Sequence, residues 1–155
     1  MTDAANDRLA DRLALRELND AFAHGLDHND VDLFLSIFTD DVKYRNGERR
    51  LAGRAEMEPF FRARAAAGRI SRHFWSGLRI TFVSETEVTG RVNYMTFAGE
   101  APLPVESTLP FVVSDVRDRY VRRPDGRWLI AEREIDSLFV NKAVKPLPQS
   151  YEQKR

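Results

Sequence analysis

Three residues of this chain have types and placements that suggest chemistry: Asp27, His73 and Arg133. His73 opens an aromatic-rich run, RHFWSG. An imidazole at the mouth of a strand, near apolar groups, can be held neutral and ready to take a proton. A half-buried structural histidine is the alternative. Asp27 falls in HGLDHND, where a helix should give way to a turn. A carboxylate there is either a helix-end cap or a working acid/base group. Arg133 lies on the last predicted strand. Strict alternation places it with Leu129, Ala131, Ile135, Ser137 and Phe139, and places Glu132, Glu134 and Asp136 opposite. A charge on an apolar face needs a carboxylate partner or an anionic group, unless it snorkels out at the sheet edge. The other two histidines, His24 and His28, are four residues apart. On a continuous helix they could share a metal. The helix is expected to end between them, and HGLDH lacks the central glutamate of a zinc-protease helix, so no metal is assigned. Tyr44, Trp75, Asn93 and Tyr94 could line an interior, although aromatics on strands are usually core.

The elements that must position these groups follow from hydrophobic period. Leu9, Leu13, Leu15, Leu18, Phe22 and Leu26 recur at mostly three- and four-residue steps, which predicts a helix over about Asn6 to Gly25. Asn29 or Asp30 can cap a second helix with Leu33, Phe34, Ile37 and Phe38 on its apolar side, stopped by Thr39-Asp40-Asp41. Val42 to Arg45 reads as a strand and Asn46-Gly47 as a tight turn. A third helix runs over about Ala55 to Ala67 and closes at Gly68. The period then changes to two. Strands are predicted over His73–Val83, Glu87–Phe97, Thr108–Arg122 and Trp128–Phe139. Three helices followed by antiparallel strands is an α+β plan: one curved, mixed, mostly antiparallel sheet wrapping the helices as a cone-shaped barrel. A single domain over 1–140 and an irregular tail over 141–155 are expected.

Composition narrows the function. At 155 residues, 43% hydrophobic and 31% charged, the chain has the material for one sizeable core. Its 24 basic and 24 acidic residues cancel, which argues against a nucleic-acid partner. No apolar run approaches a membrane span and the N-terminus has no apolar signal core, so a soluble cytoplasmic protein with no membrane partner is expected. The absence of cysteine removes thiol chemistry. There is no glycine-rich phosphate loop and no GxSxG elbow. No cofactor or metal is assigned.

DRLALRELNDAFAHGLDHNDVDLFLSIFTDDVKY, GRAEMEPFFR, RHFWSGLRITFVSETEVTGRVNY and DVRDRYVRRPDGRWLIAERE follow one another in an order that resembles the SnoaL-like group of the nuclear transport factor 2-like superfamily. The resemblance runs from about Asp7 to Phe139. Several members are lyases or isomerases, among them scytalone dehydratase, bile acid 7-alpha-dehydratase and hexachlorocyclohexane dehydrochlorinase. They share a histidine at the start of that strand and an aspartate after the first helix, and His73 and Asp27 stand at the matching positions. Arg133 matches an arginine of the dehydrochlorinase. Phe22 stands where those relatives place a lysine or tyrosine that helps the leaving group. The resemblance implies a cofactor-independent lyase or isomerase with an Asp27–His73 general-base dyad. The reactions in view are dehydration-like elimination and retro-aldol type cleavage, formaldehyde release included. Arg133 would stabilise developing negative charge. Phe22, Tyr44, Trp75, Asn93 and Tyr94 would contact a small hydrophobic, aromatic or polycyclic substrate, with Phe74 and Phe97 near the mouth. A homodimer or homotrimer is expected, with Val112, Val116 and Tyr120 as candidates for its contact face. The alternatives are a non-catalytic ligand-binding member and a scaffold subunit, since LIAEREIDSLFVNK resembles the ending of aromatic-ring dioxygenase small subunits.

Overall fold

The computed structural model describes residues 3–106 and 109–144. Thr108 and most of the predicted tail, residues 145–155, lie outside the described residues. Helix α1 (Asp3–Asp27) buries Leu15, Leu18, Phe22 and Leu26. Leu9 and Leu13 fall on its solvent side, more than half exposed, so the apolar stripe begins later than the leucine spacing suggested. The helix runs past Gly25 and ends on Asp27 itself. Asn29 takes a positive φ of 57° to turn the chain, and Asp30 caps α2 (Val31–Ser36) by accepting from Leu33 N at 3.0 Å. Gly25 lets the two helices touch. A Cβ there would lie 2.9 Å from Phe34 Cβ and 3.0 Å from its backbone.

Helix α2 is shorter than predicted, because Phe38 already belongs to β1 (Phe38–Asn46). Thr39-Asp40-Asp41 is therefore inside a strand. An irregularity between Phe38 and Lys43 leaves Asp40 and Asp41 both exposed. Gly47, with φ of 58°, turns β1 into β2 (Arg49–Ala52). Helix α3 (Arg54–Ala66) follows, and Gly68 (φ 68°) releases the chain into β3 (Ile70–Phe82), β4 (Glu87–Gly99), β5 (Val112–Arg122) and β6 (Trp128–Val140).

The six strands form one open mixed sheet in the order β2-β1-β6-β5-β4-β3. Every pairing is antiparallel except β1 with β6. Three helices pack against the concave face of this curved sheet, which is the predicted fold class, with the sheet left unclosed between β2 and β3. Phe22, Phe34, Phe38 and Phe61 meet in the core with Val92, Tyr120 and Ile130. No described helix is long and apolar enough to cross a membrane.

Two register shifts correct the alternation read from the last hairpin; in one, Val113 pairs with Phe139 but Ser114 with Ser137, so Leu138 is an extra residue and Phe139 turns outward instead of sharing a face with Arg133. Arg119 pairs with Glu132 but Tyr120 pairs with Ile130, so Ala131 is an extra residue and the phase reverses there. Trp128 and Ile130, not Leu129, share the inner face with Arg133, and Ala131, the extra residue, is buried as well. Val116 and Tyr120 are fully buried in the core and Val112 lines the internal cavity, so these residues cannot form the outer contact face expected of them. The outer face carries Arg45, Arg117, Glu134 and Asp136 in a ladder of ion pairs, and Phe74, Met95 and Phe139 exposed.

Candidate active site

The end of α1 and the start of β3 place Asp27 against His73. Asp27 Oδ1 accepts from His73 Nδ1 at 2.5 Å, and Oδ2 accepts from the His73 backbone N–H at 2.7 Å. The carboxylate has no proton to give, so Nδ1 carries the hydrogen and Nε2 is left as the basic nitrogen. Ser71 lies two residues before His73 and so on the same face of β3. Its hydroxyl donates to Asp27 Oδ1 at 2.9 Å. Arg64, in the last turn of α3, donates to Ser71 Oγ at 3.0 Å and to the Leu26 carbonyl at 2.9 Å. Asp27 and His73 are nearly enclosed, with side chains 8% and 12% exposed. Burial pushes the Asp27 carboxyl up. The bond and charge of His73, its backbone N–H and the Ser71 hydroxyl outweigh that and hold it below the usual carboxylate range.

His73 lines a cavity of about 330 Å³ between the sheet and the helices. Phe22, Tyr44 and Tyr94 also line it, and the Phe22 ring meets His73 edge-on at 6.3 Å. Burial pushes the Tyr44 and Tyr94 phenols up, with the Arg133 charge opposing, so both keep their protons near neutrality. Tyr94 donates its proton to Asn19 Oδ1 at 2.8 Å.

The other predicted site residues lie elsewhere. Asn93 is exposed on the outer face of β4: it adjoins Tyr94, and neighbours on a strand point to opposite faces. Phe74 and Phe97 pack together on the outside as well, at 6.2 Å, for the same reason relative to His73 and Ala98. Trp75 faces α1 and donates to Asp20 Oδ1 at 2.7 Å, away from the cavity lining. Arg133 is wholly buried and does not line the cavity. Its carboxylate partner is Asp118, met through two bonds of 2.8 and 2.7 Å, and a third bond goes to Asn19 Oδ1 at 2.8 Å. Burial opposes its charge, and Asp118 more than restores it. Nη1 has no hydrogen-bond partner; the guanidinium lies 4.2 Å over the Phe22 ring.

Sequence reading missed Ser71, Arg64, Asn19 and Asp118. Three of these carried a usable signal. Arg64 follows Met57 and Phe61 on the buried stripe of α3, Asn19 lies among Leu15, Leu18 and Phe22, and Asp118 alternates with Val116 and Tyr120. Each is a polar residue on an apolar stripe. Arg49 and Arg69 also line the cavity, and nothing in their spacing marked them.

An open curved sheet holding three helices and an internal cavity defines the class: the cone-shaped α+β proteins of the nuclear transport factor 2-like type. The chain belongs to the SnoaL-like domain family, whose model matches residues 7–134. No curated protein matches its sequence. Similar solved structures include a protein of Novosphingobium aromaticivorans provisionally named a scytalone dehydratase, 19% identical, with a TM-score of 0.78 over 92% of this chain and 94% of that one. The hexachlorocyclohexane dehydrochlorinase LinA-type3 of Novosphingobium barchaimii is 21% identical, with a TM-score of 0.74 over 93% and 99%. A Nostoc punctiforme protein of unknown function with a cystatin-like fold is 22% identical, with a TM-score of 0.71 over 87% and 94%. At these identities the likeness is one of fold.

Proposed function

We propose that this protein is a cofactor-independent lyase acting on a small, largely apolar aromatic substrate, with His73 as general base and Asp27 as its orienting acid. The observation that carries the reading is the Asp27–His73 pair at the wall of a cavity of substrate size. In an elimination, His73 Nε2 takes a proton from carbon. The C–H electron pair becomes the new double bond, and the C–O bond breaks with its pair on oxygen. The departing hydroxide needs a proton. Tyr44, a buried neutral phenol on the cavity wall, supplies it and recovers one from the imidazolium, so water leaves and the enzyme is restored. In a retro-aldol cleavage, His73 instead takes the hydroxyl proton, the neighbouring C–C bond breaks, and a carbonyl fragment such as formaldehyde departs while the carbanion is reprotonated. Arg133 acts as a positioning residue: it orders Phe22 beneath it and, through Asn19, the Tyr94 hydroxyl.

His73→Ala and Asp27→Asn should each lower turnover by about 10²–10⁴-fold, with circular dichroism and melting curves showing a folded protein. The assay follows ultraviolet spectra across a panel of aromatic alcohols and hydroxyketones. Full activity in both variants would remove the dyad. Non-catalytic ligand binding is the second reading, favoured by Phe22: the helix turn next to the dyad offers an apolar ring where leaving-group help would be expected.

A further inference from the structure

His24 and His28 stand four residues apart at the end of α1. The sequence alone argues against a shared metal, because a helix end is expected between them. The structure removes that objection. Helix α1 runs to Asp27, and the His28 N–H still bonds the His24 carbonyl at 2.9 Å, so helical spacing holds through both residues. Both residues are exposed. Their rings stack with centroids 4.2 Å apart and planes tilted by 33°. From this we propose that His24 and His28 together hold one divalent transition-metal ion of the imidazole-binding kind, Cu²⁺, Ni²⁺ or Zn²⁺, at the surface of the protein.

Residues four apart on a helix are neighbours on one face, with Cβ atoms about 5–6 Å from each other. Two imidazole nitrogens, each about 2.0–2.1 Å from a tetrahedral ion, lie roughly 3.4 Å apart. Rings whose centroids are already 4.2 Å apart reach that spacing by small rotations, and their exposure leaves room to rotate. Imidazole nitrogen selects this class of ion, whereas Mg²⁺ and Ca²⁺ prefer oxygen ligands. HGLDH lacks the glutamate that serves a zinc protease as general base, which removes that chemistry and leaves binding untouched. The neighbouring acids are used elsewhere. Asp27 is held by His73 and Ser71, and Asp20, one turn before His24, accepts from the Trp75 indole. Among the described residues no group of three or more His, Asp or Glu could hold a metal, so this ion has two protein ligands and completes its shell with water. Arg72 already donates to the Asp27 carbonyl at 3.3 Å, so the negative end of the helix adds little and the imidazoles carry the affinity. An ion held there clips the last turn of α1, the turn that ends on Asp27. Occupancy stiffens the helix end from which the carboxylate reaches His73.

The site is independent of the lyase reading, and its test needs no substrate. The full chain, stripped of metal, is titrated calorimetrically with nickel chloride and with zinc chloride at neutral pH, each with and without excess magnesium chloride. One ion should bind per chain, and magnesium should not displace it. His24→Gln and His28→Gln, both at exposed positions and checked for folding by circular dichroism, should each weaken binding at least about tenfold, a change of about 1.4 kcal/mol. His73→Ala should bind as the wild type does, which separates this pair from the dyad. Saturating zinc should raise the melting temperature of the wild type and of neither Gln variant. No saturable binding of either ion up to about 1 mM overturns the proposal. So does unchanged affinity in either Gln variant, displacement by magnesium, or a wild type that binds two independent ions and loses one with each substitution.

Discussion

Asp27 accepts three hydrogen bonds, and each donor fixes something different. His73 Nδ1 sets the tautomer, the His73 backbone N–H sets where β3 begins relative to α1, and the Ser71 hydroxyl gives Oδ1 a second donor. Together these lower the Asp27 pKa below 3.8, the ordinary value, despite burial. The unfolded chain therefore binds this proton more tightly than the folded one. The stabilisation is complete above pH 3.8 and is lost as pH falls through the depressed folded value. Compared with Asp27→Asn, the wild type should hold its urea-midpoint advantage down to about pH 5 and lose it progressively at more acid pH. An advantage that grows on acidification below pH 3.8 would contradict the assignment. The aspartate and the histidine could each be picked out by type and position. Period and spacing alone did not give their contact, which only the family resemblance implied, because it depends on α1 continuing two residues past Gly25 to end on Asp27.

At the scale of elements, the corner between α1 and α2 depends on the missing side chain of Gly25. Any Cβ there meets the Phe34 backbone as well as its Cβ, and backbone cannot rotate aside. Gly25→Ala should cost about 1–3 kcal/mol in chemical denaturation in spite of alanine's better helix propensity. It should also weaken Asp27–His73 pairing, since Asp27 is two residues on. A neutral or stabilising effect would mean the helices can part at no cost. The three helices and five of the six strands were readable from period, with the start of β1 misplaced because Phe38 continued the apolar side of α2. The extra residue at Ala131 was not, because a bulge leaves no mark in residue type and reverses every inward assignment before it. Arg133, downstream of the bulge, kept its correct face, while Leu129 and Trp128 exchanged theirs. Strand β2 was missed because four residues with three charges or small side chains show no period. Asn93 and Tyr94 illustrate the opposite case, since alternation alone already forbade both from lining one cavity.

At the scale of the molecule, one buried polar network ties the layers together. Asn19 of α1, Tyr94 of β4, Asp118 and Tyr120 of β5 and Arg133 of β6 are joined by bonds of 2.6 to 3.2 Å. Asp118→Asn leaves a wholly buried guanidinium without its counter-charge and should destabilise by about 3–5 kcal/mol. Asp118→Leu/Arg133→Met, which removes both charges, should cost less, and urea unfolding followed by tryptophan fluorescence separates the two. If the double replacement is the worse of the pair, the network contributes more than charge balance. The parallel pairing of β1 with β6 has a consequence for how the chain is made. Residues 38–46 leave the ribosome early, yet the strand beside them, residues 128–140, follows more than eighty residues later. At roughly 5–20 residues per second, β1 waits on the order of seconds to more than ten seconds for its inner neighbour. Until β6 emerges, Phe38, Val42 and Tyr44 lie on a strand without its inner neighbour, and a nascent chain paused there is the form a chaperone would meet.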